Sequence, residues 1–264
     1  MALSKVAMIE EGSRPPRDRR NRRIVAAIGV SPSVSEDALQ RARSVAGEIF
    51  PTENSSSYVE IRTTESESPI YRENLGESCY VCKTHLYDAL SSVSRHFSAS
   101  SSHVVLYNGT NFDDRSDPTR LGLVAASEHN VVSPLDHATK FEVRRIARAF
   151  GLSNADTAAS PCLRSRLALG VEATVEHLAR VADAEAFIRK HLVLDDARSL
   201  RVRLLPRDRV AVEVDIEDGS LEAASSDVEI RRYFESVRWG VNDEGECNVA
   251  FRKYKYGAVS VASD

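Results

Sequence analysis

Short apolar runs alternate with amphipathic segments over the first 152 residues, and this alternation limits the possible folds more than any other feature. Arg23–Val30 and Val104–Tyr107 have the length and composition of strands, and Tyr58–Arg62 is a further candidate. Residues 79–97 carry apolar side chains at helical spacing. Strands that alternate with helices in this way predict an α/β fold with a doubly wound parallel sheet.

Two capping-box patterns mark predicted helix starts. Ser33 and Glu36 form the first, and Thr139 and Glu142 form the second. Gly151 stands where the second helix should end, as a C-terminal cap.

The pattern changes after Gly151, where a smaller α+β domain is predicted. A polar stretch leads to Cys162, and a long helix over Val175–His191 and strands near 200–204 and 210–216 follow. We therefore predict three regions: a disordered basic tail over 1–22, a nucleotide-binding-like α/β domain over 23–152, and a C-terminal domain over 153–264.

The charge balance argues against a dedicated nucleic-acid-binding protein. Lys plus Arg is 35 and Asp plus Glu is 39, so the formal net charge is −4. No apolar run approaches the length of about 18 residues that a membrane-spanning helix needs.

Residues 13–23 contain six arginines, which is typical of a disordered basic tail. An organellar transit segment is the alternative, although Glu10 and Glu11 count against it. Four cysteines without a secretory signal favour a reducing compartment. We expect this compartment to be the cytoplasm, or an organelle if residues 13–23 belong to a transit segment. Metal binding or catalysis is then a better expectation for these cysteines than disulfides.

Cys79-Tyr80-Val81-Cys82-Lys83 forms a C-x-x-C motif at the predicted start of a helix. Two thiolates three residues apart can face one metal ion, and the helix dipole and Lys83 both favour the thiolate form. The motif fits half a zinc site, a redox pair, two cluster ligands or two partly buried cysteines.

Cys162 stands in the segment Ser160-Pro161-Cys162-Leu163-Arg164-Ser165-Arg166. Its neighbouring arginines favour a reactive thiolate, whereas an isolated cysteine is often a small buried hydrophobe. Farther along, strand alternation places Arg201 and Arg203 on one face, where they can hold a phosphate or carboxylate or can simply face solvent.

The segment after Val104–Tyr107 is a candidate nucleotide loop. A glycine at the carboxyl end of such a strand lets the backbone approach a nucleotide, and paired carboxylates can hold a magnesium ion. An Asx-rich turn is the purely structural alternative. The candidate binding residues are Gly109, Thr110, Asn111, Asp113 and Asp114.

In this order, the motifs resemble the LarE family of ATP-dependent sulfur transferases, within the PP-loop superfamily. The resemblance covers roughly residues 24–216. It is carried by Tyr71-Arg72-Glu73-Asn74, Cys79-Tyr80-Val81-Cys82-Lys83, Gly109-Thr110-Asn111-Phe112-Asp113-Asp114, Arg120 with Gly122, Ser133-Pro134-Leu135, Lys140, Glu142, Arg144, Pro161-Cys162-Leu163-Arg164-Ser165-Arg166, Gly170, Glu185 and Arg201-Val202-Arg203.

The resemblance implies a step in the synthesis of a nickel-pincer nucleotide cofactor. ATP with Mg²⁺ would adenylate a carboxylate of a pyridinium dicarboxylate mononucleotide, and sulfur delivered from Cys162 would give a thiocarboxylate. Members of the three-cysteine type hold a [4Fe–4S] cluster, which here implies Cys79, Cys82 and Cys162 as ligands. The resemblance also implies a homo-oligomer. Its implied catalytic residues are Cys162, Glu185, Arg201 and Arg203, and its implied cofactor-binding residues include Lys83 and the loop residues 109–114.

One part of the family pattern is missing. The Ser-Gly-Gly-x-Asp-Ser phosphate loop has no counterpart, since the chain contains no Gly-Gly pair, and Gly240 to Gly245 lacks the lysine of another phosphate loop. By the resemblance, Arg23–Val30 is the second strand of the domain, so residues 1–22 replace the first strand, the loop and a helix. We expect either a fragment of an active enzyme or a short form without ATP activation.

A sheet without its first strand would leave apolar surface near Val25 and Ile28 at an open edge. We therefore predict poor solubility or the need for a partner. Cys247 has no counterpart in the family pattern and is assigned a structural role.

Two other functions stay open. One is a thiolase acting on tRNA, which the Arg-rich tail favours and the net charge of −4 disfavours. The other is a metal-binding or regulatory remnant without catalysis.

Overall fold

The chain folds into two compact units, each built on its own β-sheet. The computed structural model describes residues 6–12, 23–50, 58–97, 103–117, 120–239 and 249–255. The N-terminal unit comprises Ala2–Tyr71 and Glu77–Asp156, and the C-terminal unit comprises Arg72–Gly76 and Thr157–Asp264. The sequence placed the boundary after residue 152 and did not separate the short segment Arg72–Gly76.

The described elements follow the predicted alternation. The strands are β1 (Val6–Gly12), β2 (Arg23–Val30), β3 (Tyr58–Arg62), β4 (His103–Tyr107), β5 (Leu200–Leu204), β6 (Val210–Val214) and β7 (Val249–Lys253). The helices are α1 (Glu36–Ile49), α2 (Pro69–Glu73), α3 (Ser78–Phe97), α4 (Phe112–Arg115), α5 (Gly122–Glu128), α6 (Lys140–Ala149), α7 (Val175–His191), α8 (Asp218–Ser226) and α9 (Val228–Ser236). None of these helices is both long and apolar enough to cross a bilayer.

The sheet of the N-terminal unit is mixed, with the strand order β3-β2-β1-β4. Strands β2 and β3 are parallel, whereas β1 is antiparallel to both of its neighbours, β2 and β4. Strands β2, β3 and β4 therefore run in one direction, and β1 runs against them. The fold is α/β, as predicted, but its sheet is not wholly parallel.

Strand β1 is the main difference from the sequence prediction. A disordered tail was predicted over residues 1–22, but Val6–Gly12 forms a central strand; residues 13–22 lie outside the described residues. The prediction of an open edge is wrong, because β2 is paired on both sides and Val25 and Ile28 are buried. Only residues 13–22 separate β1 from β2, which suits antiparallel neighbours, whereas a parallel pair needs a crossover of about a dozen residues or more.

Apolar side chains cover both faces of this sheet. Val25 and Ala27 pack with Leu86 and Leu90 of α3 on one face, and Ile28 packs with Leu39 of α1 on the other. The arrangement has helices on both sides of a sheet, which is the usual way to bury its two faces.

Two of the three predicted helix caps are present in the structure, and one is not. The Thr139–Glu142 capping box is present, and Gly151 has the positive φ (69°) of a C-terminal cap. The prediction of a Ser33–Glu36 capping box is wrong, because Ser35 caps α1 by accepting the N–H of Ala38. The hydroxyl of Ser33 is instead buried against that of Ser31.

The C-terminal unit has a three-stranded sheet, ordered β5-β6-β7. Strands β5 and β6 form an antiparallel pair, and β7 is parallel to β6. Helix α7 packs against β5 through a buried apolar face. Glu185 of α7 also accepts the N–H of Val202 in β5, which adds a polar link to this packing.

Candidate functional site

Cys162 lies directly before a one-turn 3-10 helix, Leu163–Arg166, in the C-terminal unit. Its side chain is half-buried. Its carbonyl oxygen accepts hydrogen bonds from the backbone N–H and the hydroxyl of Ser165, at 2.9 and 2.8 Å. The cysteine therefore stands on an ordered turn.

Arg166 is buried and forms a two-pronged ion pair with Glu185 of α7. Its Nε lies 2.8 Å from Oε1, and its Nη2 lies 3.1 Å from Oε2. Its Nη1 donates to the carbonyl oxygens of Pro161 and Cys162. Glu185 also accepts the N–H of Val202 at 3.0 Å, so its carboxylate ties the cysteine turn to β5.

Arg166 keeps its positive charge despite its burial. Burial has the largest single effect and lowers the pKa of the Arg166 guanidinium, but Glu185, Cys162 and Tyr254 together outweigh it and the pKa is raised. Cys162 acts on this pKa in the same direction as Glu185. The buried guanidinium is therefore in electrostatic contact with the cysteine.

Strand β5 contributes two arginines. Arg203 is buried, pairs with Glu213 at 2.8 Å, and donates to the carbonyl oxygen of Ser165 at 3.2 Å. Arg201 is half-buried, and its guanidinium lies 5.0 Å from the ring centroid of Tyr254, a cation–π distance. The Nε atom of Arg201 is buried and has no hydrogen-bond partner within the described part of the chain.

These charges do not balance among themselves. Arg166 and Arg203 each have a carboxylate partner, while Arg201 faces an aromatic ring. Burial lowers the pKa of Arg201 most, and Tyr254 opposes this effect; the neighbouring charges of Arg166 and Arg203 lower the pKa further, against an opposing effect of Glu213. An anionic ligand at Arg201 would reduce this repulsion, so this position is the best candidate for binding a phosphate or carboxylate.

The C-x-x-C motif occupies the first turns of α3 in the N-terminal unit. Cys79 is exposed and Cys82 is buried. The Cys82 thiol donates to the Glu65 carboxylate, with 3.8 Å between Sγ and Oε1. Glu65 lies in a 3-10 turn after β3 and is fully buried. The motif therefore combines one accessible thiol with one that is held by a buried carboxylate.

The donor chemistry of these cysteines fits an iron–sulfur cluster or zinc. Cys79 and Cys82 are three residues apart on one helix, the spacing at which side chains are neighbours, and thiolates are the preferred ligands of both metals. None of the three described cysteines forms a disulfide. Across the described ranges, no three His, Cys, Asp or Glu side chains are grouped as a metal site. Cys247 lies outside the described residues.

The candidate nucleotide loop begins at Asn108, which is bonded to α3. Its Oδ1 accepts from the Thr110 N–H at 3.1 Å and from the Ser133 hydroxyl at 2.7 Å, and its Nδ2 donates to the Tyr87 hydroxyl at 3.4 Å. Burial raises the pKa of Tyr87, and Cys82 adds to this effect, while the bond from Asn108 opposes it. The loop and the cysteine-bearing helix are thus linked through one buried phenol.

Both carboxylates of the loop have structural contacts. Asp113 accepts the N–H of Lys140, the first residue of α6, at 2.7 Å. Asp114 forms a capping box with Asn111 and a salt bridge with Arg120 at 2.9 Å. These contacts match the Asx-rich alternative. Gly109 is exposed, and Asn111 is buried.

Lys83 lies beside Gly122, the first residue of α5. A methyl group in place of the glycine hydrogen would stand 3.0 Å from Cγ of Lys83 and 3.6 Å from the carbonyl oxygen of Cys79. The glycine therefore permits close packing of α5 against the first turn of α3, which carries Cys79.

The structure groups the predicted site residues by unit. Glu185, Arg201 and Arg203 lie in the C-terminal unit with the turn that carries Cys162, while Cys79, Cys82, Lys83 and residues 109–114 lie in the N-terminal unit. The sequence did not select five residues that hold these groups. They are Glu65, Asn74, Arg166, Glu213 and Tyr254. Asn74 and Arg166 belong to recognised segments, whereas the other three follow no local pattern.

Comparison with known proteins gives three relatives. An uncharacterized protein of Synechocystis is 36% identical over 168 residues, which is 63% of this chain and 59% of the relative. An uncharacterized protein of Methanocaldococcus jannaschii is 27% identical over 122 residues, 46% of each chain. The pyridinium-3,5-bisthiocarboxylic acid mononucleotide synthase of Lactiplantibacillus plantarum is 31% identical over 120 residues, 45% of this chain and 42% of the synthase.

This chain is distantly similar to that synthase. The similarity supports the LarE-like relationship that the order of the motifs predicted. The chain spans about half the length of the curated relatives it matches. No protein-family model matches it.

Proposed function

We propose that the chain is a LarE-like sulfur transferase, which converts a carboxylate of a pyridinium dicarboxylate mononucleotide to a thiocarboxylate. The observation that carries this proposal is the network around Cys162. A buried Arg166–Glu185 pair fixes the turn that carries Cys162, and Arg201 offers a positive charge that lies over the Tyr254 ring. The similarity to the synthase supports the class of reaction.

The residues of this chain have separate tasks in the proposed reaction. Arg201 binds the phosphate or a carboxylate of the acceptor, and Arg203 keeps the strand tied to the cysteine turn through the Ser165 carbonyl oxygen. Cys162 carries the site from which sulfur is delivered, and Arg166 holds the turn of this cysteine by donating to the Cys162 carbonyl oxygen.

Cys79, Cys82 and Cys162 are the proposed ligands of a [4Fe–4S] cluster. These three thiolates would hold the cluster, which would supply a site for an external sulfide as the sulfur donor. The Cys82 thiol donates a hydrogen bond to Glu65. This carboxylate would accept the thiol proton when the sulfur binds the metal.

The experiment begins with reconstitution. The purified chain is incubated anaerobically with iron and sulfide, and we expect visible absorbance typical of an iron–sulfur cluster. Cys162→Ala should lose this signal, whereas Cys247→Ser, at the cysteine without a proposed ligand role, should keep it. Zinc binding with no visible absorbance in the parent chain would contradict the cluster assignment.

The second part measures sulfur transfer. The reconstituted chain is given the mononucleotide with ATP and Mg²⁺, and the thiocarboxylate product is followed by mass spectrometry. We expect Arg201→Gln to raise KM more than it lowers kcat, and Arg209→Gln, at an exposed arginine beyond the same strand, to change neither. Product formation that is equal in the parent and in Cys162→Ala would overturn the proposal.

A second candidate is a nucleotide- or metal-binding remnant that does not activate its substrate. The direction of β1 favours it. Because β1 is antiparallel to β2 and β4, it ends where these strands begin, with Glu11 opposite Arg23 and Gly12 opposite His103. A phosphate loop that followed this strand would lie away from the carboxyl ends of β2, β3 and β4, where nucleotides bind. A pre-adenylated substrate distinguishes the two candidates, since only a transferase converts it.

A further inference from the structure

Asn74 stands out because a short segment around it, Arg72–Gly76, belongs to the C-terminal unit although it comes early in the chain. The residue is fully buried. Its φ of 55° lies in the left-handed region, which costs most residues about 1 kcal/mol or more. Asparagine tolerates this conformation better than other residues with a side chain, and glycine tolerates it best.

The Asn74 side chain directs its hydrogen-bond donors and its acceptor to one segment, residues 164–171. Nδ2 donates to the carbonyl oxygens of Ala168 and Val171, at 2.8 and 3.0 Å. Oδ1 accepts from Nη1 of Arg164 at 2.8 Å. The backbone carbonyl oxygen also accepts the N–H of Gly170 at 3.1 Å. Both amide hydrogens are therefore satisfied, as a buried asparagine requires.

All of these partners lie in the segment that follows Cys162. Arg164 is the second residue after the cysteine, and Ala168 continues the segment by donating its N–H to the Leu204 carbonyl oxygen of β5. The segment is thus held by β5 on one side and by Asn74 on another. Neighbouring Arg72 adds a further backbone bond, from the N–H of Ala173 at 2.7 Å.

The two bonds from Nδ2 to backbone carbonyl oxygens are structural, but the backbone conformation alone does not require this side chain. Glycine at position 74 would satisfy the backbone conformation at lower cost, and the Gly170 bond uses only the backbone. The amide oxygen meets a charged side chain, that of Arg164, which is two residues after the candidate reactive cysteine. A charge held in one place interacts more strongly with a reacting group than a charge that moves among rotamers.

We propose that Asn74 is a positioning residue that fixes Arg164 and so holds positive charge beside Cys162. The inference deepens the proposed function, because the same charge would orient an anionic acceptor at the sulfur-bearing turn. Its test uses thiol chemistry alone, so it stays independent of ATP, the cluster and the acceptor.

The experiment compares two alkylating reagents on the purified full chain. Iodoacetate is an anion and iodoacetamide is neutral, and the rate of each at Cys162 is measured by peptide mass spectrometry. Their ratio reports positive charge at the thiol, whereas a change in exposure alters both rates by a similar factor. We expect Asn74→Gly to lower the ratio by about threefold, the size of a partly exposed charge interaction.

Two further variants locate the effect. Arg164→Gln should lower the ratio by the same factor, and the double variant should show no further decrease, because Asn74 acts through Arg164. Asn130→Gly is the matched control, since Asn130 is an exposed residue of the N-terminal unit with a φ of 53°. This control should leave the ratio unchanged.

The outcomes separate the possibilities. Equal changes in both rates in Asn74→Gly, or additive decreases in the double variant, would overturn the positioning role. If Asn74→Gly does not fold, Arg164→Gln still decides, because an unchanged ratio there removes the proposed charge. A decreased ratio without any sulfur transfer would refute the proposed function and leave the positioning role intact.

Discussion

Arg166 is tolerated in the protein interior because its charge and its N–H groups meet acceptors. Glu185 takes two of its donors, and the carbonyl oxygens of Pro161 and Cys162 take another. Two charges removed from water are costly, and good geometry only compensates for that cost. Loss of one partner leaves the other charge buried and unpaired.

We therefore expect Glu185→Ala to lower the free energy of unfolding of the C-terminal unit by about 3–5 kcal/mol. Urea denaturation measures the change. Glu176→Ala is the matched control, because Glu176 pairs with Arg180 on an exposed face of the same helix. That variant should lose less than about 1 kcal/mol. Similar losses in the two variants would show that the buried pair contributes no more than an exposed one.

The sequence indicated the reactive residues better than the residues that hold them. Cys162 and Arg203 stand in recognisable motifs, but Glu65 and Glu213 have no such pattern. Glu65 lies 17 residues before Cys82, and a fold-dependent turn brings the two together. Pairings of this kind arise from tertiary packing, which local spacing does not encode.

At the scale of elements, Asp227 shows how one side chain starts a helix. Its carboxylate caps α9 by accepting the N–H groups of Glu229 and Ile230, and it also accepts from His191 at 3.0 Å. The bond from His191 is the main reason that the pKa of Asp227 is lowered, and the helix N–H groups add to it.

This shift predicts a dependence of stability on pH. A carboxyl whose folded pKa lies below its unfolded value of about 3.9 stabilises the fold fully above that pH, and its contribution is lost as the pH falls through the folded pKa. Asp227→Asn keeps a good cap but does not titrate. We expect the parent chain to lose more stability than this variant as the pH falls below about 4. Thermal unfolding at a series of pH values measures it, and parallel curves would contradict the assignment.

Gly122 allows α5 to pack closely on α3. A Cβ at this position would meet Cγ of Lys83 at 3.0 Å, so Gly122→Ala should destabilise the N-terminal unit, by about 1–3 kcal/mol. Gly47→Ala in the last turn of α1 is the control, because nothing lies within 4 Å of its new methyl group. It should gain about 0.5–1 kcal/mol. Chemical denaturation of both variants tests this, and a stabilised Gly122→Ala would mean that Lys83 moves freely.

Most elements were predictable because their signals are local. Helix α7 and strands β2, β3 and β5 begin and end where periodicity placed them, and the Thr139 cap is present. Strand β1 was missed. Its apolar stretch is short and precedes a run of arginines, and its strand conformation depends on two partners, one of them β4, far along the chain. Such pairing has no local signature.

At the scale of the whole molecule, β1 completes the N-terminal sheet. It pairs along its length with β2 and β4, and its removal would leave both strands with an open edge. Val25 and Ile28 would then lie beside this edge instead of in the interior of the sheet.

We expect deletion of residues 1–12 to lower the unfolding temperature of the N-terminal unit. We also expect it to cause aggregation at concentrations where the parent chain does not aggregate. Differential scanning calorimetry and light scattering measure the two effects. Deletion of residues 1–5 alone, which leaves β1 whole, is the control. An unchanged unfolding temperature after the longer deletion would show that β1 does not hold the sheet together.

The position of β1 also has a consequence for biosynthesis. The ribosome makes β1 first and β2 soon after, but the partner on the other side, beginning at His103 opposite Gly12, emerges much later. Until then the nascent chain exposes an unpaired strand edge, which is the kind of surface that chaperones bind and that aggregates. Slower translation between these two points should therefore lower the yield of native protein and leave the stability of the finished protein unchanged.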